Sequence, residues 1–544
     1  MNCDDFIKQK AIDKYKEIIN KSNDNASKSQ QYLDSLLKIP FNVYKKEEIL
    51  NLKDNYELKI INILNIINQY ITTNNIKISK FTIKKTMLYS EMVDCIKQLI
   101  EYNNLNNNTL ELFIKKNKNT ELKSIIDSIN NSQHIIKYKN KTNKKEYLEI
   151  LQDFFNNNNI DSNIKSKYYN SINIKLNPIN NKINNVINDW ALFKQKRKEY
   201  IENIDECLNK AIYSQNDSKK EIKRIIGQWI NGKMTGYVLG FEGPPGIGKT
   251  SLAKQGIAKC LIDDKGNSRP FSFIAIGGSS NGSLLEGHNY TYVGANYGKI
   301  IEILIETQCM NPIIYIDELD KISNTENGKE LVGILTHMTD SSQNEHFNDK
   351  YFSGINFDLS KVLFIFSYND YSKIDPILAD RIHRIKFNYL QTHEKINIMQ
   401  NYIIPELLNT VGYSNDSIKF SDEVIEYIIT NYTYEAGVRK IKEKVYEIIR
   451  EINLEEIMDN STNTKNTKNI SIEFVKKIFA NKSQHNHKKI YNEDLVGIVN
   501  GLYATSLGLG GIIEIQVTNT YSDTKMSITI TGQQGDVMKE SVQC

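Results

Sequence analysis

The sequence predicts a multidomain chain of α and α/β type: a helical N-terminal region, a parallel α/β core with a helical lid, and a β-rich C-terminal segment. Three observations carry this prediction. From about residue 200, nearly continuous apolar runs alternate with amphipathic helical stretches, the pattern of a parallel sheet covered by helices. One of these strand-to-helix turns is glycine-rich and ends in Lys249-Thr250. Apolar spacing is helical before this core and alternates with period two over the last fifty residues.

Composition sets the outer bounds. A length of 544 residues accommodates three or four domains, at about 100–200 residues each. Hydrophobic residues make up 40% and charged residues 25%, enough to form sizeable cores. Lys and Arg number 69 against 65 Asp and Glu, a net charge of +4 that gives no global pull toward nucleic acid or an anionic membrane. Six cysteines lie far apart with no C-x-x-C pair and are read as reduced, mostly buried thiols of an intracellular protein. His485 and His487 form an H-x-H in a polar stretch, which is read as a solvated linker. Met1–Asp5 has the features of neither a secretory signal nor an Arg-rich transit peptide. No run of 18 apolar residues occurs, so no transmembrane span is expected and the expected location is cytoplasmic.

Residues 1–44 are expected to be helical, with Pro40 ending the helix that runs through Tyr32–Ile39. Residues 45–200 form an Asn- and Lys-rich helical insertion. Helical segments at Tyr56–Tyr70 and Tyr147–Phe155 are separated by polar tracts such as Asn106–Asn108 and Asn156–Asn159. Residues 201–393 form the α/β core. Its first strand, Tyr237–Phe241, leads into Gly243-Pro244-Pro245-Gly246-Ile247-Gly248-Lys249-Thr250 and then into a helix beginning near Ser251. In that context G-x-x-x-x-G-K-[ST] is a phosphate loop: backbone N–H groups surround phosphate oxygens at a helix N-terminus. Lys249 is expected to reach the β- and γ-phosphates and the Thr250 hydroxyl to hold Mg²⁺.

Three further strands follow at Phe271–Ile276, Asn311–Glu318 and Val362–Asn369. The second of these ends in Asp317-Glu318, placing two carboxylates at the C-terminal edge of the sheet, where ligands of such sheets sit. Asp317 is expected to orient the Mg²⁺ shell and Glu318 to polarise the attacking water. Alone, the pair fits a simple strand-to-loop exit; beside the phosphate loop it points to the functional role. Asn369, at the end of the next strand, can position that water or touch the γ-phosphate. Arg381 can stabilise transition-state charge in a neighbouring subunit or simply pair with Asp380 at the surface. Residues 394–488 lack strand patterning and are read as a helical lid, with Arg439 able to lie over the nucleotide. Residues 489–544 alternate as strands at Leu495–Val499, Gly511–Val517 and Ser527–Ile530.

These residues resemble one family, the ATP-dependent Lon proteases of the AAA+ superfamily. The resemblance rests on Gly277-Gly278 followed by Gly287–Ala295, on Tyr432–Arg439, on Gly535–Ser541 and on Tyr32–Phe41. It covers residues 8–44 and runs nearly continuously from about 205 to the end. It implies an AAA+ parallel α/β ATPase core with a helical lid and an incomplete α+β protease-like C-terminal segment. By position it implies ATP binding at Gly243–Thr250, hydrolysis by Asp317 and Glu318, sensing by Asn369 and Arg439, and a finger at Arg381. It also implies a substrate-gripping pore loop at Tyr292 and Val293; a core tyrosine is the alternative for Tyr292. The implied partners are protein substrates and further copies of the chain in a ring, a hexamer in the family.

The chain departs from the family at Asn289-Tyr290 and Tyr434, where basic residues are usual, and in its long insertion. It is also expected to end at Cys544 before the family's catalytic Ser-Lys dyad, so that a second polypeptide would complete the protease domain. The alternatives are an AAA+ motor that remodels nucleic acid, to which the charge balance lends little support, and a truncated or split gene product without independent function.

Overall fold

The structure is a computed structural model describing residues 3–20, 23–73, 81–105, 118–130, 143–156, 180–232, 236–278, 281–458, 468–480, 482, 493–504, 510–519, 521, 528–531, 535 and 539–540. Contacts divide the chain into two units. One comprises Met1–Gly243 with Gly248–Phe387, the other Pro244–Ile247 with Asn388–Cys544.

A five-stranded parallel sheet organises the first unit. Its strands are β1 (Val238–Glu242), β2 (Phe271–Ala275), β3 (Ile313–Asp317), β6 (Leu363–Tyr368) and β7 (His383–Lys386), in the order β2-β3-β6-β1-β7. The short strands β4 (Phe347–Asn348) and β5 (Asn356–Phe357) pair separately. All six residues of β6 are buried, as are the first four of β3. Strands covered by helices on both faces read as unbroken apolar runs for this reason, and both were legible in the sequence. Strand β7 was not expected. It lies at the sheet edge beside β1, and only Ile385 of His383-Arg384-Ile385-Lys386 is buried, so it carries no apolar run to detect.

Helices Asp5–Asn20 and Asn23–Lys38 pack on this core, and the second ends two residues before Pro40. Phe41 stacks on Phe357 at 5.8 Å. The insertion then leaves and rejoins the core through named contacts. Glu47 forms a buried ion pair with Arg269 at 2.6 Å, and on the return Tyr200 donates to the Cys260 carbonyl at 3.3 Å. Between these points, helix Glu48–Thr73 packs on helix Asn180–Ala211. Tyr56 stacks on Trp190 at 5.4 Å and donates to the Val186 carbonyl at 2.7 Å. The returning helix runs without a break across residue 200, where the sequence texture changes. The tract Asn106–Asn108, residues 157–159 of the second Asn tract, and His485 with His487 lie outside the described residues.

The second unit packs helices Thr392–Ile398, Ile404–Val411, Asp422–Tyr432, Arg439–Met458 and Ile472–Ile478 around Leu408, Ile425, Ile428, Ile441, Val445 and Phe479. The expectation of a lid without strands is corrected here. Strand β8 (Ile418–Phe420) pairs in parallel with β9 (Lys468–Ile470). Three residues are too short for a period-two signal, which needs at least four. In the C-terminal segment, β10 (Ile498–Ala504) and β11 (Gly510–Gln516) form an antiparallel hairpin. The first begins three residues later than expected. Ile528–Ile530 is not a strand, and Ser527 lies outside the described residues.

Candidate nucleotide site and gripping loop

The phosphate loop follows β1. Gly246 (φ 78°) and Gly248 (φ 96°) adopt left-handed backbone that a side chain would strain. The helix then begins at Lys249–Ser251, continues as a π-helical stretch over Leu252–Ile257 and closes over Ala258–Cys260. Lys249 is only 9% exposed. Its Nζ donates to Gly243 O at 2.5 Å, Tyr368 O at 3.0 Å and Asn369 Oδ1 at 3.0 Å. Burial pushes the ammonium down to about 8, opposed by the charges of Asp317, Asp320 and Glu242. Three neutral oxygens hold this cation, leaving its charge available for phosphate.

The adjacent groups come from β3 and β6. Asp317 Oδ1 accepts from the Glu318 N–H at 3.0 Å, and Glu318 itself takes a left-handed backbone (φ 62°). Its carboxylate forms an ion pair with Lys321 and lies against Gly277, where a Cβ would approach Glu318 Oε2 to 1.8 Å. Gly277 is therefore a clearance for the carboxylate. Two residues went unnoticed in the sequence. Asp320 accepts from the Asn369 N–H at 3.2 Å, while its Oδ1 is buried without a hydrogen-bond partner. A third acid two residues after Glu318 was its only signal. Tyr315 places its hydroxyl 3.1 Å from Thr250 Oγ1, and burial pushes this phenol up to about 12. It was concealed inside an apolar strand.

Arg381 does not pair with Asp380. It donates to Ile377 O at 2.8 Å and to Asp340 Oδ2 at 2.8 Å. The Arg381 hydrogen bond holds the Asp340 carboxyl well below the usual carboxylate range. Tyr292 is 61% exposed and Val293 fully so, which removes the core-tyrosine alternative.

In the second unit, the start of helix Arg439–Met458 meets the loop tip: Val438 N–H donates to Gly246 O at 3.1 Å. A Cβ on Gly437 would approach Pro245 O to 2.5 Å, so glycine is required for this approach. Arg439 is exposed, 3.8 Å from Glu443. Tyr434, where the family has a basic residue, donates to Gly510 O at 3.1 Å on the hairpin. Of the Gly535–Ser541 signature, residues 536–538 and 541 lie outside the described residues.

A phosphate loop on a parallel sheet of this order, with a carboxylate pair at the end of the strand beyond its neighbour β6, defines a P-loop ATPase fold of the AAA class. The comparisons agree. Residues 239–389 match the ATPase family associated with various cellular activities (AAA). Residues 409–466 match the Lon protease AAA+ ATPase lid domain, and residues 469–544 match the Lon protease (S16) C-terminal proteolytic domain. Over residues 409–466 and 469–544 the matching models are thus those of Lon proteases, and over residues 239–389 that of the AAA ATPases. It is similar to a Lon protease homolog of Acanthamoeba polyphaga mimivirus, 35% identical over 407 residues, covering 64% of this chain and 39% of that protein. It is also similar to the Lon protease of Campylobacter concisus, 36% identical over 377 residues (65% and 44%). For the Lon protease of Malacoplasma penetrans, identity is 30% over 411 residues (74% and 50%). The chain thus spans half or less of the length of each of these relatives.

The proteolytic-domain match corrects the expectation of a truncated segment in part, since it extends through residue 544. It also begins at 469, before the expected boundary of 489. Residues 468–480 nevertheless fold with the lid helices, through β9 and Val475 and Phe479.

Proposed function

We propose that this chain is an ATP-driven motor of the Lon type, which grips protein substrates and draws them toward the proteolytic domain that residues 469–544 match. The observation carrying this reading is the buried Lys249 ammonium, held by neutral oxygens at the head of a left-handed glycine loop. In this reading Gly243–Thr250 bind the triphosphate and Lys249 answers the charge of its β- and γ-oxygens. The Thr250 hydroxyl and Asp317 carboxylate are the hard oxygen donors that Mg²⁺ takes alongside phosphate; the metal, when bound, neutralises charge on the phosphates. Glu318, cleared by Gly277, accepts the proton of the attacking water. Asn369, held by Asp320, fixes the polar edge of the site. Arg439 serves as the lid sensor.

Arg381 completes a neighbour's site, which requires a ring of copies, a hexamer in this reading, and requires the arginine to leave Asp340. Tyr292 and Val293 grip substrate, an aromatic ring binding varied side chains without reading sequence. Among the described residues no helix is long and apolar enough to cross a membrane, in keeping with a cytoplasmic location. The hairpin exposes Leu502 at 86%, which supports a covering surface from further proteolytic-domain chain or a second polypeptide.

Purified protein is tested for ATP turnover with and without casein. Casein-stimulated turnover is expected. Turnover that is absent, or that DNA alone stimulates in a salt-sensitive manner, refutes the reading.

A further inference from the structure

The loop carrying Tyr292 rises from a closed base. His288 N–H donates to Asn296 O at 3.0 Å, and the buried Asp349 carboxylate accepts from Gly298 N–H at 2.7 Å. Above this base Tyr292 and Val293 face outward, while Tyr290 turns toward the N-terminal helices. Tyr290 meets Tyr32 edge-on at 5.1 Å and Tyr351 at 5.5 Å. Two cations lie over its ring, Lys14 at 4.6 Å and Lys28 at 4.9 Å. Lys28 goes further: its Nζ donates to the carbonyl of Tyr292 itself at 3.0 Å, 264 residues away in sequence. That carbonyl also accepts from Ala295 N–H at 3.4 Å.

This arrangement gives the Asn289-Tyr290 departure a physical reason. A basic side chain at 290 would face Lys14 and Lys28 and repel both. An aromatic face attracts them through its quadrupole. The neighbouring contacts fit the same seat: Ser29 Oγ lies 3.4 Å from Tyr290 OH and donates to Glu17 Oε2 at 3.0 Å, where Lys14 also pairs at 3.1 Å.

We propose that the N-terminal helix pair latches the gripping loop, with Tyr290 as the seat and Lys28 as the tether that positions Tyr292. The proposal rests on the reading of Tyr292 as a substrate-gripping residue. Lys28 and Tyr290 are positioning residues and leave nucleotide chemistry untouched.

The test compares Lys28→Met and Tyr290→Leu with the conservative Lys28→Arg and Tyr290→Phe in the full chain. The first pair should raise the casein concentration for half-maximal ATPase stimulation by about fivefold, with maximal and basal turnover unchanged. Amide exchange over residues 288–297 should rise in the same two variants. Lys28→Arg keeps a cationic donor and Tyr290→Phe keeps the ring, so both should behave as wild type. Lys28→Met is a surface change that preserves the aliphatic stem, so it tests the latch even if Tyr290→Leu fails to fold. Wild-type exchange and wild-type casein dependence in Lys28→Met overturn the latch. Tyr292→Ala separates the two readings: if it leaves casein stimulation intact, the gripping assignment fails. If it abolishes stimulation while Lys28→Met changes nothing, the latch alone fails.

Discussion

Nucleotide binding should be linked to protonation of Lys249. In the free chain, burial lowers its pKa from 10.5 to about 8, because the ammonium has lost water and gained only neutral acceptors. A shift of that size corresponds to about 3 kcal/mol of unfavourable charge burial. A bound triphosphate restores the favourable field and returns the pKa upward. Below pH 8 the lysine is already charged and binding takes up little proton. At pH 9 the free lysine is about nine-tenths neutral, so binding should take up close to one proton and weaken about tenfold relative to pH 7. Calorimetric titration with ADP in two buffers of different ionisation enthalpy measures the uptake directly. Lys249→Ala should abolish binding and the uptake with it. Folding of the free chain gives an independent reading of opposite sign. The folded pKa is depressed, so the unfolded state binds more protons between pH 8 and 10.5 and stability rises across that window. Proton uptake near zero at pH 9, with affinity flat from pH 7, would refute the assignment of Lys249 as a desolvated phosphate-binding cation.

Other outcomes follow from the same geometry. Glu318→Gln should bind ATP normally yet turn it over about 10²–10⁴-fold more slowly, and Gly277→Ala should approach that behaviour by displacing the carboxylate; single-turnover hydrolysis alongside nucleotide affinity checks both. Arg381→Ala should lose hydrolysis with binding intact, and mixing it with Glu318→Gln should recover activity through interfaces pairing one intact site with one intact arginine. No recovery at any ratio would confine Arg381 to its Asp340 partner. Burial pushes the Asp349 carboxyl up to about 6 despite three backbone N–H donors. Its contribution is therefore fully present below pH 4 and lost as pH rises through about 6. In Asp349→Asn, denaturant titrations between pH 4 and 7 should lack that component of the slope.

Much of this chain follows from local chemistry that a sequence carries openly. The phosphate loop, its following helix, and the carboxylates ending β3 are set by glycine freedom, by apolar runs buried on two faces, and by residues one to four positions apart. Matching motifs then extended the reading to the lid and the proteolytic segment. What sequence could not supply was anything decided by apposition of distant chain. Strand β7 exists because β1 offers it an edge, and β8 and β9 because they meet each other across the long intervening helical stretch. Arg381 finds Asp340 rather than its neighbour Asp380 because the turn before β7 aims it at the end of another helix. Tyr315 and Asp320 join the site through backbone direction alone. Tyr290 looked like a lost positive charge until the N-terminal helices placed two lysines over its ring. Motif and periodicity act over a few residues, whereas partners in a packed core are chosen by tertiary topology.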